Sequence, residues 1–426
     1  QTSAGDWHSL GIDSKGDLYT WGYNGNGQLG RDTTGTPANR PGRVTPPTGV
    51  TFTQAVGGAY HSTALGSDGN IYTWGDNRNG QLGRDTTVTP ADRPGRVTAP
   101  TGVTFTRISA GYWHSMALGS DGNLYTWGND IYGQLGRDTT SSGAPTNQLP
   151  APVTPPAGVR FTLVSAGGYH SMAIGSDGNV YTWGNNDGGQ LGRSSSVTSG
   201  ATIVGNSRPG PVSNPIGSTF TAVSAGFNYS TALTSDGTLM TWGENVFGQL
   251  GRKTSSGSTP GKVGAPTGVT YTGSAAGYTH SMAIGSDGNL YTWGSNVDGQ
   301  LGRNPGAIAT AEAGSVPFPA RGIPTRVLFD RDQSTGPTAG ADDTWTVTTP
   351  EHAAGGVPVT ISWTLDGTPQ ADDTGNTYRY VTIGSLPLTG GGGILLIIMI
   401  GLTLMATTAA ARRHRHPTRT THTSHE

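Results

Sequence analysis

A Thr-Trp-Gly triplet, followed after a short variable loop by Gly-Gln-Leu-Gly-Arg, recurs six times along this chain, at Trp21, Trp74, Trp127, Trp183, Trp242 and Trp293. Successive tryptophans stand 53, 53, 56, 59 and 51 residues apart. A period of that length holds four short strands with their turns, and self-similarity at such a period marks a solenoid, propeller or array. Repeats of this kind share one continuous core, so structural units rather than domains are what the length should be divided into.

One unit runs from Val103 to Gly158. Val103–Gly111 reads as a strand, Tyr112-Trp113 as an aromatic corner, and His114–Leu118 and Asn123–Trp127 as two further strands joined through Ser120-Asp121-Gly122. Asp-Gly between alternating runs predicts a tight primed hairpin turn, because Gly and Asp tolerate positive φ. The same turn is expected at Asp68-Gly69, Asp177-Gly178, Asp236-Gly237 and Asp287-Gly288, with Lys15-Gly16 in the first unit. After Gly136-Arg137 the chain turns rich in Thr, Ser and Pro, which suits an irregular connection to an outer strand. Strand alternation puts Tyr125 and Trp127 on one face and Leu124 and Thr126 on the other. Each repeated tryptophan is therefore expected to pack between units, where burying about 150–250 Å² stabilises by at most roughly 4–6 kcal/mol.

Composition narrows the function classes. Charged residues make up 12% of the chain and the net charge is −2, so the basic stripe required for nucleic acid is missing. Cleavage after Thr389 would shift that charge to −5. With no cysteine, disulfides, thiolate metal sites and cysteine nucleophiles are excluded. The chain opens at Gln1 with neither an initiating methionine nor a signal peptide, and the first unit lacks the Phe-Thr strand start found at Phe52, Phe105 and Phe161. Further sequence upstream is the expectation.

Taken together, Ala-Gly-Tyr112-Trp113-His114-Ser-Met-Ala-Leu, Ser-Asp-Gly-Asn, Tyr-Thr-Trp127-Gly and Gly133-Gln-Leu-Gly resemble the regulator of chromosome condensation repeat family over residues 1–327. The resemblance implies an all-β fold, a β-propeller of four-stranded blades. The family norm is seven blades against six visible repeats. Either a blade precedes Gln1 or the ring closes with six.

Past Arg326 the pattern changes. Val327–Asp330, Thr344–Trp363 and Thr377–Val381 alternate as antiparallel strands, and residues 328–384 are similar to part of a TIG-type immunoglobulin-like module, too short for a full sandwich. Residues 385–426 close the chain. Leu386-Pro387-Leu388-Thr389-Gly390, an apolar stretch over 391–411 and a basic tail over 412–426 resemble a sortase sorting signal of Gram-positive bacteria. Eighteen apolar residues in a helix span about 27 Å, close to the hydrocarbon thickness, with the arginines on the cytoplasmic side. The resemblance implies cleavage after Thr389 and covalent attachment of its carbonyl to peptidoglycan at the cell surface, after passage through a membrane-inserted form.

Repeated polar residues read as structural. His8, His61, His114, His170 and His280 each precede a serine, but neighbours on a strand point to opposite faces and cannot share a proton. No cofactor or metal is expected: the histidines recur on different blades, Tyr229 takes their place in the fifth unit, and the Asp-Gly-Asn turns lack the remaining ligands of a calcium loop. The arginines at Arg31, Arg84, Arg137, Arg193, Arg252 and Arg303 read as partners of adjacent aspartates or as solvated loop ends. No pair of carboxylates and no nucleophile with a base suggests an enzyme.

Function is then expected where the units differ, because varied loops on a rigid scaffold are a common design for recognition. The candidate ligand-binding residues are Trp7, Tyr60, Tyr112, Trp113, Tyr169, Phe227 and Tyr278 at the corners, and Asp76, Arg78, Tyr132 and Phe247 in the loops after Trp-Gly. Aromatics with Asp and Arg are the material of interface hot spots. The expectation is a wall-anchored surface protein whose propeller binds an extracellular protein or glycan. An inhibitor of an extracellular enzyme is the alternative. Guanine nucleotide exchange, the family's best-known activity, would be on the wrong side of the membrane.

Overall fold

Short apolar runs separated by glycine turns fold into six four-stranded antiparallel sheets in chain order. The computed structural model describes residues 1–316 except 140–145, 195–205, 215–216, 255–256, 304 and 306–308, and the strands of a second unit between 323 and 380. The chain divides into two compact units, Gln1–Pro317 and Phe318–Glu426.

Blade three shows the construction. Phe105–Ala110, His114–Gly119, Leu124–Gly128 and Ala151–Pro152 lie side by side in sequence order, with Ala117 opposite both Ile108 and Tyr125. The first strands of consecutive blades are neighbours from blade one to blade six, which places them about the axis and the fourth strands outermost. The corner after the first strand and the loop after Trp-Gly fall at the same end of each blade. A backbone bond ties them together, as from Asn129 N–H to Trp113 C=O at 2.9 Å and from Asp76 N–H to Tyr60 C=O at 2.9 Å.

The hairpins differ from the expected primed form. Gly122 N–H donates to Gly119 C=O at 3.0 Å, and Gly122 alone takes a positive φ, +82°. Ser120 and Asp121 are therefore the central pair, and the glycine closes a three-residue loop with a bulge. The aspartate serves as an acceptor instead: the Asp121 carboxylate receives bonds from Asn123 N–H and from the Tyr125 hydroxyl.

The core is a set of five clusters, each lying between two blades. Leu65, Ile71 and Val97 of blade two meet Phe105, Ile108, Tyr125 and Trp127 of blade three. Trp74, Trp127, Trp183, Trp242 and Trp293 are fully buried in this way. Trp21 is not, and corrects the expectation for all six. It keeps part of its surface exposed, as does Tyr19, because no core cluster among the described residues joins blade one to blade six. The matching face of blade six is open as well: Ile284 is 50% exposed, whereas Ile174 at the equivalent place in blade four is 4% exposed.

In the second unit, Ile323–Phe329 pairs antiparallel with Asp332–Gln333 on one side and Gly355–Leu365 on the other, and Thr368–Tyr380 completes the sheet. A two-stranded ribbon, Thr338–Ala339 with Trp345–Thr346, stands apart. Val327 thus belongs to this sheet. The pentapeptide 386–390, the apolar stretch 391–411 and the tail 412–426 lie outside the described residues. No helix of the described residues is long and apolar enough to cross a membrane.

Candidate functional site

The repeated polar residues join the blades. Ser115 Oγ donates to the Gln81 carbonyl of the preceding blade at 3.0 Å, and Trp127 Nε1–H donates to the same oxygen at 2.9 Å. Gln28, Gln134, Gln190 and Gln249 offer the same double acceptor to blades two, four, five and six. Gly83, beside Gln81, must be small for this: a Cβ there would lie 2.7 Å from Trp127 Nε1, and its φ is +67°.

Four of the five repeated histidines also reach forward by one blade. His8 meets Ser62 at 2.7 Å, and His61 meets Ser115, His114 meets Ser171 and His170 meets Ser230, all at 2.9 Å. Since the serine hydrogen is committed to a glutamine carbonyl, the histidine Nε2 is the donor. Tyr229 substitutes in blade five, its hydroxyl lying 2.9 Å from Ser281 Oγ and donating to the His280 carbonyl.

A serine within reach of a histidine resembles a nucleophile with its base, and the chemistry excludes that use. Burial lowers His61, His114 and His170 to about 3 and His8 to about 4, far below the range in which a base operates near neutrality. The arginines are structural too, by a route other than the expected charge pairing. Arg31 is buried and donates to the carbonyls of Thr20, Thr36 and Arg40, and Arg84 repeats this with Thr73 and Thr89. Asp32 and Asp85 turn to Thr34 and Thr87. Among the described residues no three His, Asp or Glu side chains converge as a metal set.

The unlike positions come together at the corner end of the axis. Tyr112 is the hub: its ring centroid lies 5.6 Å from Tyr60, 4.6 Å from Trp113, 5.9 Å from Tyr169 and 5.4 Å from Phe227. Phe227 stacks on Tyr278 at 4.3 Å, and Tyr132 meets Tyr169 edge-on at 5.2 Å. Blades two to six thus each contribute to one connected aromatic surface. Most of its rings are half-buried, and Tyr278 is 47% exposed.

The same chain matches the RCC1-like domain over residues 1–329. It belongs to the RCC1-like domain family. Over 298 residues this RCC1-like chain is 30% identical to the ultraviolet-B receptor UVR8 of Arabidopsis thaliana, covering 69% of the chain and 64% of the receptor. It is 31% identical over 314 residues to the E3 ubiquitin-protein ligase HERC2 of Homo sapiens, covering 71% of the chain and 6% of the ligase. The chain therefore spans less than two thirds of either curated relative. Among solved structures it is similar to yeast RCC1 (Prp20) bound to Kap60, with a TM-score of 0.65 and 26% identity over 77% of each chain.

Not every candidate joins the aromatic surface of the RCC1-like propeller. Trp7 is 59% exposed and Phe247 37% exposed, and neither makes a ring contact among those described. Asp76 and Arg78 hold each other, Nε to Oδ1 at 2.9 Å and Nη2 to Oδ2 at 3.1 Å, so the arginine is not a free cation. Two acids outside the candidate set, Asp6 and Glu244, occupy the corner of blade one and the loop after Trp-Gly of blade five. The charges of Asp6 and Glu244 reach Tyr278, whose phenol is raised first by burial and then by them, and Asp6 also reaches Tyr112. Asp6 retains exposed surface, yet the blades crowd it closely enough to push its carboxyl up to about 6. Both residues occupy the variable slots next to the aromatics, which is the signal that could have found them.

Proposed function

We propose that this chain is a recognition protein without catalysis of its own, whose propeller binds a protein ligand at the aromatic end of the axis. The observation that carries the reading is the convergence of unlike corner residues from five blades on one surface, while the like residues are consumed in holding the blades together. Large, partly exposed aromatic rings that cluster at the centre of a face are where interface energy concentrates. Among its relatives, yeast RCC1 was solved with Kap60 bound to it, which fits a propeller that works by holding other proteins.

The setting we propose is the outside of a Gram-positive cell. The sorting-type tail over 386–426 supports it, with Thr389 as the residue joined to peptidoglycan by a sortase and the second unit, as a TIG-type spacer, lifting the propeller from the wall. Mass spectrometry of muramidase-released wall fragments tests this: a chain ending at Thr389 with a peptidoglycan remnant is expected. An intact C-terminus in a cytosolic fraction would overturn the setting and return nucleotide exchange to consideration.

The recognition reading is tested by screening the full chain against extracellular proteins, mucin and glycans, with an inhibition panel of wall-acting enzymes alongside. Replacing Trp7, Tyr60, Trp113 and Tyr169 together by alanine should weaken capture at least tenfold, about 1.4 kcal/mol or more. A ligand held equally well by a folded quadruple variant would remove this surface from consideration.

A further inference from the structure

The recognition reading leaves open which chemistry the aromatic end accepts, and the inference here rests on that reading. Three observations bear on it.

The first is the charge of the face. The corners and the loops that directly follow Trp-Gly carry Asp6, Asp76, Asp130, Asp187, Glu244 and Asp298 as acids, and Arg78 as their one base. That base is tied to Asp76, which is itself buried. The buried histidines add no positive charge near neutrality, because Nε2 is committed to a serine of the next blade and desolvation keeps each ring neutral.

The second is the placement of the two acids nearest the rings. Asp6 belongs to blade one and Glu244 to blade five, yet both are close enough to act on the Tyr278 phenol of blade six, and Asp6 acts on Tyr112 of blade three as well. Neither Asp6 nor Glu244 takes part in any of the described ion pairs. Glu244 N–H also donates to the carbonyl of Asn228, the residue after Phe227, at 2.9 Å, and Asp6 is the corner residue of blade one, so both acids stand at the corner end that carries the aromatic set.

The third is the rings themselves. Faces of Tyr, Phe and Trp carry negative quadrupole charge and attract a cation within about 6 Å of the centroid. Phe227 and Tyr278 stack at 4.3 Å, Tyr112 and Tyr169 lie 28° from parallel at 5.9 Å, and Tyr278 keeps 47% of its surface exposed, so part of this ring set is open to a ligand.

We propose that the aromatic end of the propeller receives a cationic side chain, an arginine or lysine in an exposed basic segment of a protein ligand, held between the ring faces and the carboxylates of Asp6 and Glu244. Arginine is favoured over lysine, since its planar guanidinium stacks on rings and pairs with carboxylates in the same plane. A basic ligand would also be drawn toward the face before contact, with an association rate that falls as salt rises.

The probe is a capped hexa-arginine peptide, with hexalysine, hexaglutamine and hexaglutamate as comparisons, titrated into the full chain while tyrosine and tryptophan fluorescence is followed. Hexa-arginine should bind at least about tenfold more tightly than hexaglutamine, and hexaglutamate should not bind. Asp6→Asn with Glu244→Gln should weaken hexa-arginine about tenfold, and Tyr278→Leu several-fold. Asp287→Asn, which removes an acid from the opposite end of blade six, should leave affinity unchanged and so separates a site from general acidity. Equal binding of hexaglutamine, or an effect of Asp287→Asn as large as that of the double variant, overturns the proposal. If a protein ligand from the screen loses affinity in the quadruple alanine variant but is not displaced by hexa-arginine, the cation inference fails while the recognition reading stands.

Discussion

Blades two to five and the outer faces of blades one and six are built from the same repeat, yet only the former are packed on both sides. In the interior, Trp127 is completely buried, Ser115 has both a donor and an acceptor from blade two, and Ile174 is 4% exposed. At the two outer faces Trp21 is part-exposed, Ile284 is 50% exposed, and among the described bonds Ser9 and the His280 ring have no counterpart of the histidine-to-serine link. The sequence motif is equal in both places, so the stability it confers depends on a neighbouring blade and not on the motif itself. A repeat of this kind specifies a contact only when two copies stand side by side.

Acid should break that comparison most strongly. The folded-state pKa values of His8, His61, His114 and His170 lie well below the ordinary value of 6.5. The unfolded chain therefore takes up protons that the folded chain refuses. Stability is complete above about pH 6.5 and falls with pH toward 4, by about 1.4 kcal/mol per pH unit for each histidine. Denaturation midpoints from pH 7 to pH 4 should show this slope, and imidazole NMR should find these four rings still neutral at pH 5. His280, on the open face, is also lowered by burial but keeps part of its surface exposed, and of the five repeat histidines it should be the first to protonate.

Truncating the tryptophans gives the next largest effect. Trp127→Ala should cost about 3–5 kcal/mol, from lost burial and the cavity left behind, and Trp21→Ala less than half of that, both read from urea denaturation of the full chain. Equal losses would mean that blade one is covered on its outer face. Smaller again is Ser115→Ala, expected to cost about 1–3 kcal/mol because it strands the His61 donor in the interior, while Ser9→Ala should change stability by less than about 0.5 kcal/mol. Tyr229→Phe should fall between these two at about 1 kcal/mol, through loss of its bonds to Ser281 and the His280 carbonyl.

How far these features were legible depended on their range. The blades could be read because strand alternation and a fixed period are local signals. The hairpins were placed correctly along the chain but misjudged in type, since Asp121 and Gly122 fill the last two turn positions rather than the central pair. Histidine and serine at adjacent positions were rightly excluded as partners, but the link to the next blade, 54 residues away between His61 and Ser115, has no local trace. The arginines misled because a charged residue beside an aspartate suggests an ion pair, whereas Arg31 and Arg84 satisfy buried carbonyls. The aromatic corners were identified one at a time as variable positions. Their convergence is a property of rotation about the axis, which superimposes positions that the sequence keeps more than 50 residues apart.

The glutamine carbonyl that receives both serine and tryptophan from the next blade is a main-chain atom. Within blades two to five, where a histidine, a serine and a tryptophan meet in the same way, that joint does not distinguish one neighbour from the next. Blades two, three and four should accordingly be exchangeable in order, like links of a chain with a common coupling. Blade six is the exception, because its serine is fitted to Tyr229 instead of a histidine. What such a shuffle would alter is the order of the corner residues around the mouth. The scaffold therefore lets the order of its aromatic corners vary while leaving its supports untouched.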